Sequence, residues 1–222
     1  LAFKVKTLHN LLLFLVSFSA GALLGDAFLH LLPEIVEDVG FTLIVSLSLL
    51  FGMFLFFILE KFIHWNHCHH PVTKEHPHAF AVTNLVGDGF HNLLDGLIIG
   101  AGYLVNIPVG IATTLAVIFH EIPQEIGDFG VLVHGGFSKV KALMYNFLSA
   151  LLAVFGVIVA LLLGGIGSFN SYLVPFAAGS FIYIATADLI PEIHKETKIS
   201  ISGLQVLGFV LGVLVMVLLL RI

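Results

Sequence analysis

Two neighbouring apolar stretches of this chain carry residue types that hold metal ions. His91, Asn92 and Asp95 lie in the first, and His120, Glu121 and Gln124 in the second. Imidazole nitrogen together with carboxylate and amide oxygen suits a borderline divalent ion such as zinc or ferrous iron, and suits calcium or magnesium less well. On a helix, positions 88, 91 and 95 stack on one face, with Asn92 roughly 100° round from His91. His120 and Gln124 are one turn apart, as are Glu121 and Glu125. A single histidine within a membrane is often no more than a hydrogen-bonding partner for a neighbouring helix. A dense set of such groups at ligand spacing in two segments points instead to a metal site.

The outlying polar residues leave alternatives open. Asp88, Glu125 and Asp128 read either as outer partners of the ligands or as polar glue between helices. Asp26, His30, Asp188 and Glu192 either line an entrance and an exit or mark water-facing helix ends. Pro123 removes one helical hydrogen bond, which frees a carbonyl near residue 119 to line a polar cavity. Gly87, Gly89, Gly96, Gly100 and Gly102 leave room for close helix approach around the site.

Composition fixes the medium in which these residues are held. Only 10% of the 222 residues are charged and 59% are hydrophobic, with a mean hydropathy of +1.09. A soluble domain carries about 25% charged residues, so the expected class is an all-α polytopic membrane protein. One cysteine, Cys68, excludes a disulfide framework and a cysteine-based zinc site. No basic cluster suggests nucleic acid, and the opening residues lack the pattern of a signal peptide. Runs long enough to cross a bilayer fall at about 8–32, 41–60, 80–104, 108–133, 142–164, 172–190 and 201–220, which predicts seven transmembrane helices. With the first run starting in the cytoplasm, Lys4, Lys6, Lys61, Lys74, Lys139, Lys141, Lys195 and Lys198 share the cytoplasmic side. Only Arg221 lies opposite, while Glu34, Glu37 and Asp38 occupy an outer loop. That distribution predicts a multi-pass cell-membrane protein with its N-terminus inside and C-terminus outside.

The segment 61–79 is a cytoplasmic loop containing His64, His67, His69, His70, His76 and His78. It reads as a collector of metal ions or as a linker of biased composition. A faint echo links GDAFLHLLPE at 25–34 with ATADLIPE at 185–192, on spans crossing in opposite directions, as an inverted repeat requires.

The string HNLLDG at 91–96 resembles the H-N-x-x-D-G motif of the ZIP (Zrt/Irt-like) divalent metal transporters. HEIPQEIGD at 120–128 resembles the H-E-I-P-H-E-x-G-D motif of one subfamily, and GALLGDAFLHLLPE at 21–34 is also similar. The resemblance runs over essentially all of residues 1–222, a single transmembrane transporter domain. It implies a binuclear site: His91, Asp95 and His120 on one metal, Asn92 and Glu121 on the second, and Gln124 contributing to both. It further implies eight spans arranged 3+2+3 with inverted symmetry between the outer triplets, this chain lacking the first helix. An elevator-like motion moving metal toward the cytoplasm completes the implied mechanism. Gln124 departs from the motif's histidine, and a neutral amide bridges two cations less well than a carboxylate does.

Transport of divalent metal is therefore the leading expectation: zinc first, with iron, manganese and cadmium accepted by the same ligands. The alternative is an intramembrane metal-dependent enzyme, a hydrolase or oxidase, but no evident nucleophile accompanies the ligands. A seven-helix receptor fits the count and not the ligand spacing. The expected partners are the metal ion and the bilayer; the number of associating chains stays open, a homodimer being one arrangement.

Overall fold

The computed structural model describes residues 5–65, 79–164 and 169–221. Most of the histidine-rich loop, with Cys68, lies outside the described residues. Among the described residues the chain forms seven helical rods and no strand. Helix α1 (Val5–Asp26) runs through a π turn (Ala27–Leu31) into α2 (Leu32–Val39). It is followed by α3 (Leu43–Trp65), α4 (Ala79–Val105), α5 (Ile107–His134) and α6 (Lys139–Leu163). Helix α7 (Phe169–Tyr183) runs through a second π turn (Ile184–Leu189) into α8 (Ile190–His194), and α9 (Ile199–Leu219) closes the bundle. The rods α1–α2, α3, α6, α7–α8 and α9 are apolar enough to cross a membrane. Helices α4 and α5, at 27 and 28 residues, also have the necessary length, but they carry the polar residues of the site.

The two π turns have one cause. The Leu32 N–H bonds the Ala27 carbonyl and the Ile190 N–H bonds the Ala185 carbonyl, each five residues back. The next residue is Pro33 in one case and Pro191 in the other, and neither has an N–H to offer. Widening the turn lets the rod pass the proline ring without ending. The spans expected to end near 32 and 190 therefore continue to Val39 and His194. The acidic residues expected in an outer loop are helical. Glu37 and Asp38 are exposed on α2, and Glu34 accepts a hydrogen bond from the Asn106 amide, 3.2 Å away.

Glycine contacts set the helix pairing. Gly21 of α1 lies against the Phe209 carbonyl of α9, and Gly212 of α9 against the Phe18 carbonyl of α1. Gly179 of α7 lies against the Leu49 carbonyl of α3, and Gly52 of α3 against the Phe176 carbonyl of α7. A shift of 158 residues carries Phe18 and Gly21 onto Phe176 and Gly179, and the same shift carries Pro33-Glu34 onto Pro191-Glu192. A shift of 160 carries Leu49 and Gly52 onto Phe209 and Gly212. The faint echo is thus an inverted repeat of α1–α3 and α7–α9, built on one interface used twice. Lipid offers no hydrophobic drive for helix association, so close backbone approach of this kind supplies it through dispersion.

Helices α4, α5 and α6 lie between the repeats. Gly96 and Gly100 of α4 meet the Ala153 carbonyl and Ala160 of α6, and Gly156 of α6 meets the Leu93 carbonyl of α4. Helix α5 starts where Asn106 accepts the Val109 N–H at 2.8 Å, with Pro108 in the first turn. It ends in a Schellman motif: Phe137 N–H bonds the Leu132 carbonyl, Gly136 N–H bonds the Val133 carbonyl, and Gly136 takes φ +96°. A tight turn follows, with Ser138 capping α6.

Gly52→Val and Gly179→Val should each lower the melting temperature of the detergent-purified protein, at a cost of about 1–3 kcal/mol or more, because no rotamer change moves a backbone carbonyl. Gly203→Ala on α9, whose Cβ meets nothing within 4 Å, should leave it unchanged or raised.

Candidate metal centre

Helices α4 and α5 pack antiparallel and bring their polar faces together midway along the bundle. His91, Asp95, His120 and Glu121 each present one donor atom, and these atoms all lie within 4.8 Å of one another. His91 Nε2 is 3.3 Å from His120 Nε2, and both are 3.4 Å from Glu121 Oε1. Asp95 Oδ2 is 2.9 Å from His120 Nε2 and 3.8 Å from His91 Nε2. Tetrahedral zinc with bonds of about 2.0–2.1 Å separates its ligand atoms by roughly 3.3–3.4 Å. The spacing of the four donors fits that cage.

Two further features suit a cation. The oxygens of Asp95 and Glu121 are buried and make no aligned hydrogen bond, although they crowd the imidazole nitrogens. Proximity without alignment is what common ligands of one ion show. His120 Nδ1 lies 3.2 Å from the Ala116 carbonyl. Donating Nδ1–H there leaves the Nε2 lone pair for a metal, the usual outer contact of a ligating histidine. Phe56 stands edge-on to His91 at 5.1 Å and Phe181 edge-on to His120 at 6.2 Å, which fixes both rings from the apolar side.

A second group shares a member with the first. Asp88, Glu121 and Glu125 also offer three oxygens within 4.8 Å of one another, so Glu121 belongs to both. Asn92 is buried beside them, its amide donating to the Asp88 carboxylate at 3.0 Å and to the Asp88 carbonyl at 3.2 Å. Gln124 lies against Asp88 and lines a cavity of about 200 Å³ with His91, Asp128 and Asn84. The cavity reaches Glu60 and Asp188, at the end of the bundle where α3 stops and α4 begins. Asn84 donates to Asp128 at 2.7 Å, and Asn146 of α6 donates to the Glu125 carbonyl at 2.9 Å.

All six expected ligands thus line one region of α4 and α5. Asp88 and Glu125, left open between ligand and partner, stand with Glu121 in the second group. Their signal in the sequence was the one-turn spacing of Glu121 and Glu125 and the shared face of Asp88 and His91. Asp26 and His30 form a separate buried pair, 3.3 Å apart, with Thr113 alongside. The carbonyl freed by Pro123 does not line the cavity: Ser19 of α1 donates to the Phe119 carbonyl at 2.6 Å.

This is a helical membrane protein with a cluster of histidine and carboxylate side chains at its centre. A family model, the ZIP zinc transporter, matches residues 2–83 and 67–220, and the chain belongs to that family. It is 32% identical to zinc transporter zipt-7.1 of Caenorhabditis briggsae, over 90% of this chain and 68% of the relative. It is 31% identical to zinc transporter SLC39A7 of Mus musculus, over 95% of this chain and 63% of the relative. Zinc transporter foi of Drosophila melanogaster is 41% identical over 63% of the chain and 20% of its own length. The chain spans about two-thirds of the first two relatives. Its family is one of transporters rather than enzymes.

Asp95→Asn and His120→Ala should each weaken zinc binding by about 100-fold or more in calorimetric titration of the purified protein. Gln124→His should retain or strengthen it. Equal, near-normal binding by His120→Ala and Gln124→His would place the site elsewhere.

Proposed function

We propose that this chain carries divalent transition-metal ions, zinc foremost, across the membrane through the centre between α4 and α5. One observation carries the reading: four nitrogen and oxygen donors converge at tetrahedral zinc spacing inside two membrane-length helices. A cation crosses a bilayer only where ligands replace its water, and mixed nitrogen and oxygen ligands also let it go, which thiolates resist. The zinc transporter names of the relatives support zinc as cargo. The ligand chemistry also admits ferrous iron, manganese and cadmium.

The lysine distribution supports an orientation in which Lys61, Lys139, Lys141, Lys195 and Lys198 face the cytoplasm. In that orientation the cavity below His91 opens inward and metal leaves toward the cytoplasm. His91, Asp95, His120 and Glu121 hold the first ion. Glu121 is shared with a second position formed with Asp88, Glu125 and Asn92, with Gln124 at its edge. A carboxylate can bridge two cations, so the neutral amide at 124 does not forbid a second one.

Proteoliposomes of the wild type should accumulate radioactive zinc, and those of His91→Ala should lose most of the flux. Metal binding without flux, coupled to turnover of a lipid, would sink the transport reading. Asp88→Asn combined with Glu125→Gln should reduce the zinc stoichiometry from two to one and keep the tighter site. An unchanged stoichiometry would rule out the second position.

A further inference from the structure

Ser19 stands at the one level where α1 meets the turn of α5 that bears the ligands. It is fully buried, and two carbonyls lie within reach of its hydroxyl: Leu15 at 2.7 Å and Phe119 at 2.6 Å. The hydroxyl has one proton to give. The Leu15 carbonyl already receives the backbone N–H of residue 19 within α1. The Phe119 carbonyl would receive the N–H of residue 123, which is proline and has none. The proton is therefore needed at Phe119. Other hydroxyls of the bundle behave differently: Ser17, Thr114 and Ser180 each bond a carbonyl of their own helix.

The carbonyl that Ser19 caps belongs to the residue immediately before His120, and Glu121 follows. Fixing that peptide plane fixes the direction in which both ligands leave the helix. The mount is rigid on the other side as well, because Phe18 and Gly21, on either side of Ser19, are among the residues by which α1 packs onto α9. Phe18 also meets Phe119 edge to face at 4.7 Å, so two contacts of different kinds hold the same turn.

We propose that Ser19 is a positioning residue of the metal centre: its hydroxyl replaces the N–H that Pro123 lacks and holds the α5 turn that presents His120 and Glu121. This rests on the metal-site reading above and adds to it a residue outside both ligand-bearing helices. Metal is held in the turn that Ser19 fixes, so the residue acts on affinity more than on the rate of passage.

The test is a double-mutant cycle read by zinc titration of purified protein, with uptake in proteoliposomes alongside. Ser19→Ala should weaken zinc binding about tenfold, the scale of leaving one buried carbonyl unpaired. Half-saturation for uptake should rise in parallel with little change in maximal flux. Ser19→Thr keeps the hydroxyl and should bind within about twofold of wild type. Pro123→Ala restores the helical N–H, so in that background Ser19→Ala should cost less than about twofold. Wild-type affinity in Ser19→Ala, an equal loss in the alanine and threonine variants, or the same loss with and without Pro123 would each overturn the proposal. Should Pro123→Ala itself abolish binding, the alanine–threonine contrast decides. Wild-type protein that binds zinc and carries none would overturn transport and leave the Ser19 proposal to be judged on affinity.

Discussion

The centre of this bundle holds carboxylates in the membrane, and among the described residues no lysine or arginine pairs with Asp95 or Glu121. Among the described residues, the ion pairs of Asp95 and Glu121 are with His91 and His120 alone. Lys195 pairs with Glu192 at the exposed end of α8. Charge balance at the centre must come from protons or from the cargo, because transfer of an unpaired carboxylate into hydrocarbon is prohibitive. That constraint explains the layout. The charged faces of α4 and α5 turn toward each other, and more apolar rods surround them. The outer groups of the site are uncharged: the Asn84 and Asn146 amides, which donate, and the Ala116 carbonyl, which accepts. None adds a competing positive charge.

The surrounding frame owes little to side-chain chemistry. Its two halves are held by glycine against carbonyl, the same four positions used once in α1 and α9 and again in α7 and α3. Van der Waals contact at that range depends on the absence of a Cβ and not on polarity, so it is indifferent to the ion state of the centre. Helices α4 and α6 use the same device with each other. Helix α4 is therefore joined closely to α6, while α1 meets α5 through apolar packing, with Phe18 edge to face on Phe119, and through a few polar contacts such as Ser19 on the Phe119 carbonyl.

The seven rods were legible because hydropathy reports burial in lipid directly, and the polar cluster of α4 and α5 was legible because helical spacing puts His91 with Asp95 and His120 with Gln124. Rod ends were less so. The spans were expected to end at about 32 and 190, just before Pro33 and Pro191, and nothing local announces that a π turn carries the helix past them. The sharing of Glu121 between two donor groups depends on how α4 crosses α5, which spacing along either helix does not contain. The repeat showed in sequence only where Pro-Glu recurs; its real basis, four small contacts at Gly21, Gly52, Gly179 and Gly212, hides among 22 glycines. Ser19 carries no pattern at all. Its partner is a carbonyl, and carbonyls are the same at every position until a proline removes the donor.

Three polar contacts run along the seam between α1–α2 and α5. Glu34 accepts from Asn106 at the far end, Asp26 lies beside Thr113 further in, and Ser19 bonds the Phe119 carbonyl next to His120. All lie on one side of the centre; on the other side the cavity from His91 to Glu60 and Asp188 is open. An ion at the proposed site would thus face a seam of polar contacts in one direction and a lined cavity in the other. The two hydrogen bonds of the seam, Glu34 with Asn106 and Ser19 with the Phe119 carbonyl, each have a net worth of about 0.5–1.5 kcal/mol. The close backbone contacts of the frame cannot be undone so cheaply. Polar seam and glycine frame are thus built of different interactions, the one from side-chain hydrogen bonds and the other from the absence of a Cβ.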